Sequence, residues 1–224
     1  HVIRWATQGF ANVICAEGEE AKGRGVALCM DCRNHSMEFA RAAAEVCAAN
    51  GIHVRIFESL RPTPELSFAV REYGCQAGIN VTASHNPKEY NGYKVYWSDG
   101  AQLPPQHAAA IARELEQIDI FTGVRRMEFD DAKAQGLIEI MGAETDERFM
   151  SHVMAMVNDR ESMAKVADTF HMVYTPFHGC GWKLVPEALR GLGVKHLHCV
   201  PEQMVLDGNF PTVVSPNPEN PEGF

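Results

Sequence analysis

The apolar residues between positions 25 and 103 form short continuous runs that alternate with segments of helical spacing. Apolar runs bounded by glycine and polar residues are typical of buried strands, and Ala-rich segments with apolar positions three and four apart are typical of helices. The predicted strands are 26–30, 52–57 and 77–82, and the predicted helices between them are 36–49 and 64–73. This alternation predicts a parallel sheet with right-handed crossovers.

The pattern changes after the third predicted strand. Residues 93–97 alternate between large apolar and more polar side chains, and an Asn-Gly and an Asp-Gly turn signal flank them. We therefore expect an antiparallel strand at the edge of the sheet, followed by a helix from 105 to about 118. Residues 119–144 are mixed and predict no single element.

The alternation of strands and helices resumes in the last third of the chain, which predicts a second domain. The predicted helices are 146–158, 161–170 and 183–192, and the predicted strands are 172–174 and 196–200. The proline-rich tail from 207 is not expected to form a regular core element. We expect the α/β class with mixed, mostly parallel sheets and flanking helices, in two successive domains, 1–142 and 143–224, the second incomplete.

Composition narrows the function classes. A net charge of −9 argues against a general nucleic-acid binder, which needs a basic face, although a locally basic cleft could still bind an anionic small substrate. The sequence contains no run of about 18 apolar residues, so we expect neither a membrane span nor a membrane partner. Seven cysteines, an odd number, fit the reduced thiols of a cytoplasmic protein better than a disulfide framework.

The most informative string follows the third predicted strand. It is Thr82-Ala83-Ser84-His85-Asn86-Pro87, with Lys94 ten positions after the serine. Open α/β sheets bind ligands at the carboxyl ends of their strands. A serine hydroxyl can accept and return a phosphoryl group, a histidine can move a proton, and a lysine can neutralise charge. A lone loop serine is usually a turn residue and an edge lysine is usually solvated, so the interpretation depends on the whole string.

TASHNP followed by NGYK resembles the phosphoserine loop of the α-D-phosphohexomutases, which include phosphoglucomutases and phosphomannomutases. Other similar segments are ATQGFA (6–11), DCRN (31–34), PTPELSFAVR (62–71), DGAQL (99–103), YTPFHGCG (174–181) and DGNFPTVVSPNPE (207–219). The sequences of these motifs most resemble the branch that contains phosphoglucomutase-2-like and phosphopentomutase-like enzymes. The resemblance implies two phosphohexomutase-type α/β domains, the first carrying the phosphoserine loop.

The resemblance also implies an activity, an intramolecular phosphotransferase that interconverts sugar 1-phosphates and 6-phosphates. Ser84 would carry the phosphoryl group, and the reaction would pass through a bisphosphate, with glucose 1,6-bisphosphate as activator. His85 and Lys94 would stabilise charge and move the hydroxyl proton, and Mg²⁺ would bind the phosphate on Ser84. The implied substrate is a glucose or mannose phosphate.

The chain departs from the complete family pattern. The metal loop D-x-D-x-D-R is absent, and the nearest acidic cluster, Asp130-Asp131, does not match it. The opening G-T-x-G-x-R segment, the sugar-reading loop and the phosphate-binding loop are also absent. The chain lacks an initiator Met and ends after a proline-rich run, so we expect both ends to be incomplete and residues 1–224 alone to be inactive.

Two alternatives stay open. One is the same chemistry on another substrate, in a phosphopentomutase or a sugar-bisphosphate synthase. The other is a non-catalytic binding or regulatory module that keeps the fold.

Three residues outside the string could also serve the site. Asp31 and Arg33 are expected to form a structural pair beneath the loop rather than to contact substrate. His178 lies in a glycine-punctuated loop, a setting that permits either ligand contact or a structural role.

Overall fold

The computed structural model describes residues 1–223 and divides them into two compact units. Unit 1 comprises His1–Asp31, His35–Thr82 and Gly92–Gly142, and unit 2 comprises Cys32–Asn34, Ala83–Asn91 and the residues from Ala143 onward. Two short segments of the first half of the chain therefore belong to unit 2. One of them contains Arg33 and the other contains Ser84.

Unit 1 is a five-stranded sheet with helices on both faces. Its strands are β1 (Val26–Met30), β2 (Val54–Phe57), β3 (Ala77–Val81), β4 (Tyr93–Trp97) and β5 (Ile138–Met141). Its helices are α1 (Val2–Ala16), α2 (Glu19–Arg24), α3 (Ser36–Ala49), α4 (Thr63–Glu72), α5 (Pro105–Leu115) and α6 (Phe129–Ala134). The strand order is β4-β3-β1-β2-β5, and only β4 pairs in the antiparallel sense.

This topology confirms the predicted parallel sheet with an antiparallel edge strand. Four elements of unit 1 were not predicted, the helices α1, α2 and α6 and the strand β5. Strand β5 pairs with β2 and, like α6, lies in the stretch predicted only as mixed. The predicted second strand begins at Val54 rather than Ile52, and α5 ends at Leu115 rather than near residue 118.

Two clusters of buried side chains fill the faces of the sheet. On one face, α1 and α3 contribute Phe10, Ile14 and Cys47, none of which is exposed. On the other face, α4 contributes Leu66 and Val70, which are also fully buried. A sheet covered on both faces explains why every residue of β1 and β3 is buried.

Unit 2 is built around a two-stranded parallel sheet. Its strands are β6 (His171–Tyr174) and β7 (His196–Cys199), and its helices are α7 (Ala143–Ala155), α8 (Arg160–Val166), α9 (Leu184–Leu192) and α10 (Pro201–Met204). Short 3₁₀ turns span Cys180–Trp182 and Pro221–Gly223. Within residues 1–223, no helix has the length and apolar character needed to cross a bilayer.

Candidate active site

The candidate site begins where two neighbouring parallel strands end. β1 is followed by the segment with Arg33, and β3 is followed by the loop Ala83–Asn91, which we call the serine loop. The chain leaves β1 for β2 on one side and returns to β3 on the other, so β1 and β3 flank a topological switch point. Ligands in open α/β sheets bind at such points, outside the carboxyl ends of the strands. The predicted placement of Ser84 after a parallel strand is confirmed.

Ser84 is exposed and has an unusual backbone conformation. Its φ is 58°, in the left-handed region that costs a residue other than glycine about 1–3 kcal/mol. Its hydroxyl oxygen lies 3.3 Å from Nδ1 of His85, which is also exposed. The structure thus brings two of the three predicted site residues together, with the nucleophile candidate at a strained position.

Arg33 holds the serine loop by its backbone. Its Nη1 donates to the carbonyl oxygens of Pro87 at 2.8 Å and Tyr90 at 2.9 Å. Its Nη2 donates to the carbonyl oxygens of Ser84 at 3.0 Å and Asn86 at 2.6 Å. Arg33 is only 4% exposed, so these bonds are shielded from water. Arg33 therefore has the structural role beneath the loop that was predicted, whereas its pairing with Asp31 stays a prediction.

A second segment of unit 2 packs against Arg33, and we call it the strap, residues 205–212. The ring of Phe210 lies below the guanidinium, with Cζ 5.5 Å from the ring centroid. The Asn34 side-chain amide donates to Asn209 Oδ1 at 3.0 Å. A Cβ on residue 208 would lie 2.5 Å from the backbone nitrogen of Asn34, so glycine is needed there. The sequence contained the strap in DGNFPT but gave no signal of its partner.

His178 is part of the structure rather than a ligand contact. It is 1% exposed, its Nδ1–H donates to the Val205 carbonyl at 2.7 Å, and its Nε2 lies 2.8 Å from the Thr212 hydroxyl. Both ring nitrogens are therefore occupied by the strap. Of the two roles left open for His178, the structure supports the structural one, because the loop turns the imidazole inward.

Lys94 lies on β4, opposite Asn80 of β3, and is partly exposed. It belongs to unit 1, whereas the serine loop belongs to unit 2. Its alternation with Tyr93 and Val95 follows the predicted edge-strand pattern. A role for Lys94 in catalysis stays a prediction.

Asp31 and Cys29 are placed at the end of β1. The Ser36 hydroxyl donates to Asp31 Oδ1 at 2.7 Å, at the start of α3. Cys29 has no exposed surface, and burial raises its pKa to about 12, so its thiol is out of reach of a substrate. Ser84 is therefore the better candidate to accept a phosphoryl group at this edge.

A metal ion needs several ligating side chains close together. Across residues 1–223, no three His, Cys, Asp or Glu side chains are grouped so that they could hold an ion. The described residues therefore do not fit a Mg²⁺ site by themselves, and no chemical step is assigned to the metal. Within residues 1–223, which include all seven cysteines, no cysteine forms a disulfide.

Comparisons with known proteins identify the family of the chain. Residues 1–120 match the family model of phosphoglucomutase/phosphomannomutase alpha/beta/alpha domain I, and residues 147–224 match that of domain II. The chain therefore belongs to the phosphoglucomutase/phosphomannomutase family, as its motifs predicted.

Among the relatives is a phosphoglucomutase of Staphylococcus saprophyticus, 35% identical over 99% of this chain and 39% of its own length. A human phosphopentomutase is 32% identical over 97% of this chain and 36% of its own length. A family protein of Burkholderia thailandensis superposes with a TM-score of 0.71 at 21% identity, over 99% of this chain and 43% of its own, which supports the fold. The chain spans less than two fifths of the two curated relatives named here.

Proposed function

We propose that the protein is a sugar-phosphate mutase in which Ser84 carries the phosphoryl group. The observation that supports this is an exposed serine, held in a left-handed conformation, in a loop fixed by the buried Arg33. Membership of the family supports it further. Strain at an exposed serine is expected where the hydroxyl must be presented in one direction.

The proposed reaction has two half-reactions that mirror each other. A free hydroxyl of the sugar phosphate attacks phosphorus while the bond from phosphorus to Ser84 Oγ breaks. The proton of the attacking hydroxyl passes to a base, and Ser84 Oγ takes up a proton to become a hydroxyl again. His85, whose Nδ1 lies 3.3 Å from Ser84 Oγ, is the candidate for this proton transfer. The bisphosphate then turns around, and its other phosphoryl group returns to Ser84.

The remaining features are proposed from the family resemblance. Lys94 would offset charge on the transferred group, glucose 1,6-bisphosphate would prime Ser84, and Mg²⁺ would bind the phosphate on Ser84. Phosphoryl transfer depends mainly on in-line positioning and charge stabilisation, and both fit a fixed serine loop. We also propose a cytoplasmic location, supported by the seven free thiols.

Two substrate classes deserve comparison because the relatives differ. The staphylococcal relative is named a phosphoglucomutase and the human relative a phosphopentomutase. We propose a hexose phosphate as substrate and retain a pentose phosphate as the second candidate. Conversion of glucose 1-phosphate and ribose 1-phosphate by the full-length protein, compared by kcat/KM, would decide between them.

The test of the proposed chemistry is phosphosite mass spectrometry on the full-length protein. Incubation with ³²P-labelled glucose 1,6-bisphosphate should label Ser84, and Ser84→Ala should remove both label and turnover. Ser151→Ala is the matched control, because Ser151 is also exposed but lies on α7. Label at another residue, or turnover by Ser84→Ala, would contradict the proposal.

A further inference from the structure

We propose that Arg33 is a positioning residue for phosphoryl transfer. Its guanidinium fixes the serine loop so that Ser84 keeps its left-handed conformation, and the Phe210 ring keeps the guanidinium in place. Arg33 is 4% exposed and donates four hydrogen bonds to carbonyl oxygens of the loop, so it acts through the loop and not on the substrate. The inference rests on the proposed function of Ser84.

The geometry of the four bonds specifies arginine. A guanidinium carries five N–H donors in a rigid plane, whereas a lysine ammonium has three donors around one point. Two of the acceptors, the carbonyls of Ser84 and Asn86, lie on either side of His85 in the chain. The other two, from Pro87 and Tyr90, belong to the far half of the loop. One planar group therefore closes the loop on itself.

The bonds oppose the strain at Ser84. With a φ of 58°, Ser84 would relax toward ordinary backbone angles if its carbonyl were released. Relaxation would move the hydroxyl away from its presented position. A misplacement of about 1 Å can slow a positioned reaction about a hundredfold, so loss of the clamp should lower the rate of transfer.

The strap supports the guanidinium from the other side. Phe210 is 6% exposed and itself has a left-handed φ of 50°. The edge of its ring packs near His178, with centroids 6.4 Å apart, and His178 is bonded at both nitrogens. A chain of contacts thus runs from His178 through Phe210 and Arg33 to the carbonyl of Ser84.

The experiment follows transfer of ³²P from glucose 1,6-bisphosphate to Ser84 in the full-length protein. We expect Arg33→Lys and Arg33→Gln to be labelled at least about tenfold more slowly than wild type, with KM for the bisphosphate unchanged. Phe210→Leu should slow labelling about threefold, because it removes the cation–π contact and keeps an apolar side chain. Arg160→Gln is the matched control, since Arg160 also donates to carbonyls, those of Met154 and Gly191, but is exposed.

Chemical rescue separates positioning from general stability. Guanidinium ion at millimolar concentration should restore part of the labelling rate of Arg33→Ala and leave Ser84→Ala unlabelled. A variant that had simply misfolded would not recover in this way. Failure of rescue, together with full labelling of Arg33→Lys, would overturn the inference.

Amide hydrogen exchange gives a readout that does not depend on activity. Exchange in the peptide covering 83–91 should be faster in Arg33→Lys and Arg33→Gln, while β1 and β3 keep wild-type protection. Wild-type exchange throughout the loop would overturn the inference even if labelling fell. If wild-type Ser84 took up no label, the proposed function would fail, and the exchange result would still decide whether Arg33 holds the loop.

Discussion

The two units differ in how their side chains are held. Both extensive clusters of buried apolar residues belong to unit 1, where Phe10, Leu28 and Ile79 have no exposed surface. Both units expose single large apolar side chains, such as Phe121 of unit 1 at 72% and Val173 of unit 2 at 71%, while unit 2 buries scattered ones such as Leu184 at 3%. Its fully enclosed groups include His178, which is polar. Apolar burial stabilises unit 1, and directed hydrogen bonds carry more of the order in unit 2.

This difference bears on the serine loop. The loop is grouped with unit 2, and its anchors are the guanidinium of Arg33 and the strap that His178 binds. Directed bonds fix backbone angles more specifically than apolar contacts do, because hydrogen bonds weaken steeply away from linearity. A strained, exposed serine is therefore expected on the unit with the directed bonds.

The largest loss of stability is expected from a large-to-small substitution in the apolar core of unit 1. Phe10→Ala removes a fully buried side chain of α1 and should lower the free energy of unfolding by about 3–5 kcal/mol. Urea denaturation in a Trp182→Phe background measures it, since the remaining Trp5 and Trp97 both lie in unit 1.

The matched control for Phe10→Ala is Val173→Ala in β6 of unit 2, where the side chain is 71% exposed. Its effect on the free energy of unfolding should stay within about 0.5 kcal/mol. A Phe10→Ala effect below about 1 kcal/mol would contradict the view that apolar burial stabilises unit 1.

The next effect tests the polar anchoring of unit 2. His178→Ala removes a 2.7 Å bond to Val205 and a 2.8 Å bond to Thr212, and it leaves a cavity. The cost should be about 2–4 kcal/mol, because a carbonyl and a hydroxyl lose their buried partner. Denaturation followed by the fluorescence of Trp182, the tryptophan of unit 2, reports on the unfolding of that unit.

His198→Ala is the control for this change, because His198 is an exposed histidine of the same unit. It should leave the unfolding midpoint nearly unchanged. If His178→Ala instead weakened substrate binding without loss of stability, His178 would be a ligand contact after all.

A smaller effect is expected where the strap approaches Asn34. Gly208→Ala would place a Cβ 2.5 Å from the Asn34 amide nitrogen and 2.9 Å from the Arg33 carbonyl carbon. These are backbone atoms that cannot move alone, so unit 2 should lose about 1–3 kcal/mol of stability. Thermal unfolding and exchange of the serine loop would both register the change.

Gly23→Ala provides the opposite expectation in unit 1. A Cβ there has nothing within 4 Å, and Gly23 lies inside α2, where alanine is favoured over glycine by up to about 1 kcal/mol. Equal stability of Gly208→Ala and wild type would argue that the strap is free to shift away from Asn34.

The parallel strands and the serine loop were predictable because their signals are local. β1 is a continuous apolar run, β3 is apolar except for Asn80, and the turn chemistry of TASHNP lies within six residues. Helix α1 was missed because its buried face includes Thr7, Gln8 and Gly9, which give little apolar periodicity. Glycine suits position 9 because a Cβ there would lie 2.5 Å from Leu115 Cδ2, a side chain from a distant part of the chain.

The anchors of the site were harder to predict for the same reason. Arg33 lies 51 positions from Ser84, and Phe210 is farther still along the chain. Strand β5 has only four residues and two of them are exposed, so its pairing with β2 decides its conformation. Pairings of this range depend on the folded backbone, which sequence periodicity does not encode.

The smallest expected effect compares one local motif in the two units. Asp159 caps α8 of unit 2, and hydrogen bonds from the hydroxyl and the amide of Ser162 lower its pKa. Asp119 of unit 1 accepts equivalent bonds from the amide and hydroxyl of Thr122, which lower its pKa as well. Because a lowered carboxyl pKa adds stability above the unfolded value of about 3.9, both contributions should fade as the pH falls below about 4.

Asp159→Asn and Asp119→Asn keep an oxygen acceptor but do not titrate, so each should remove that part of the pH dependence and leave the helix or turn formed. Thermal unfolding between pH 6 and 3.5, followed by the tryptophans of each unit, measures the difference from wild type. Equal small changes in both units would mean that these turns are stabilised locally, whatever the packing around them. A clear change in unit 2 alone would mean that the exposed unit depends more heavily on each of its polar contacts, which would extend the contrast between the two units from buried anchors to the surface.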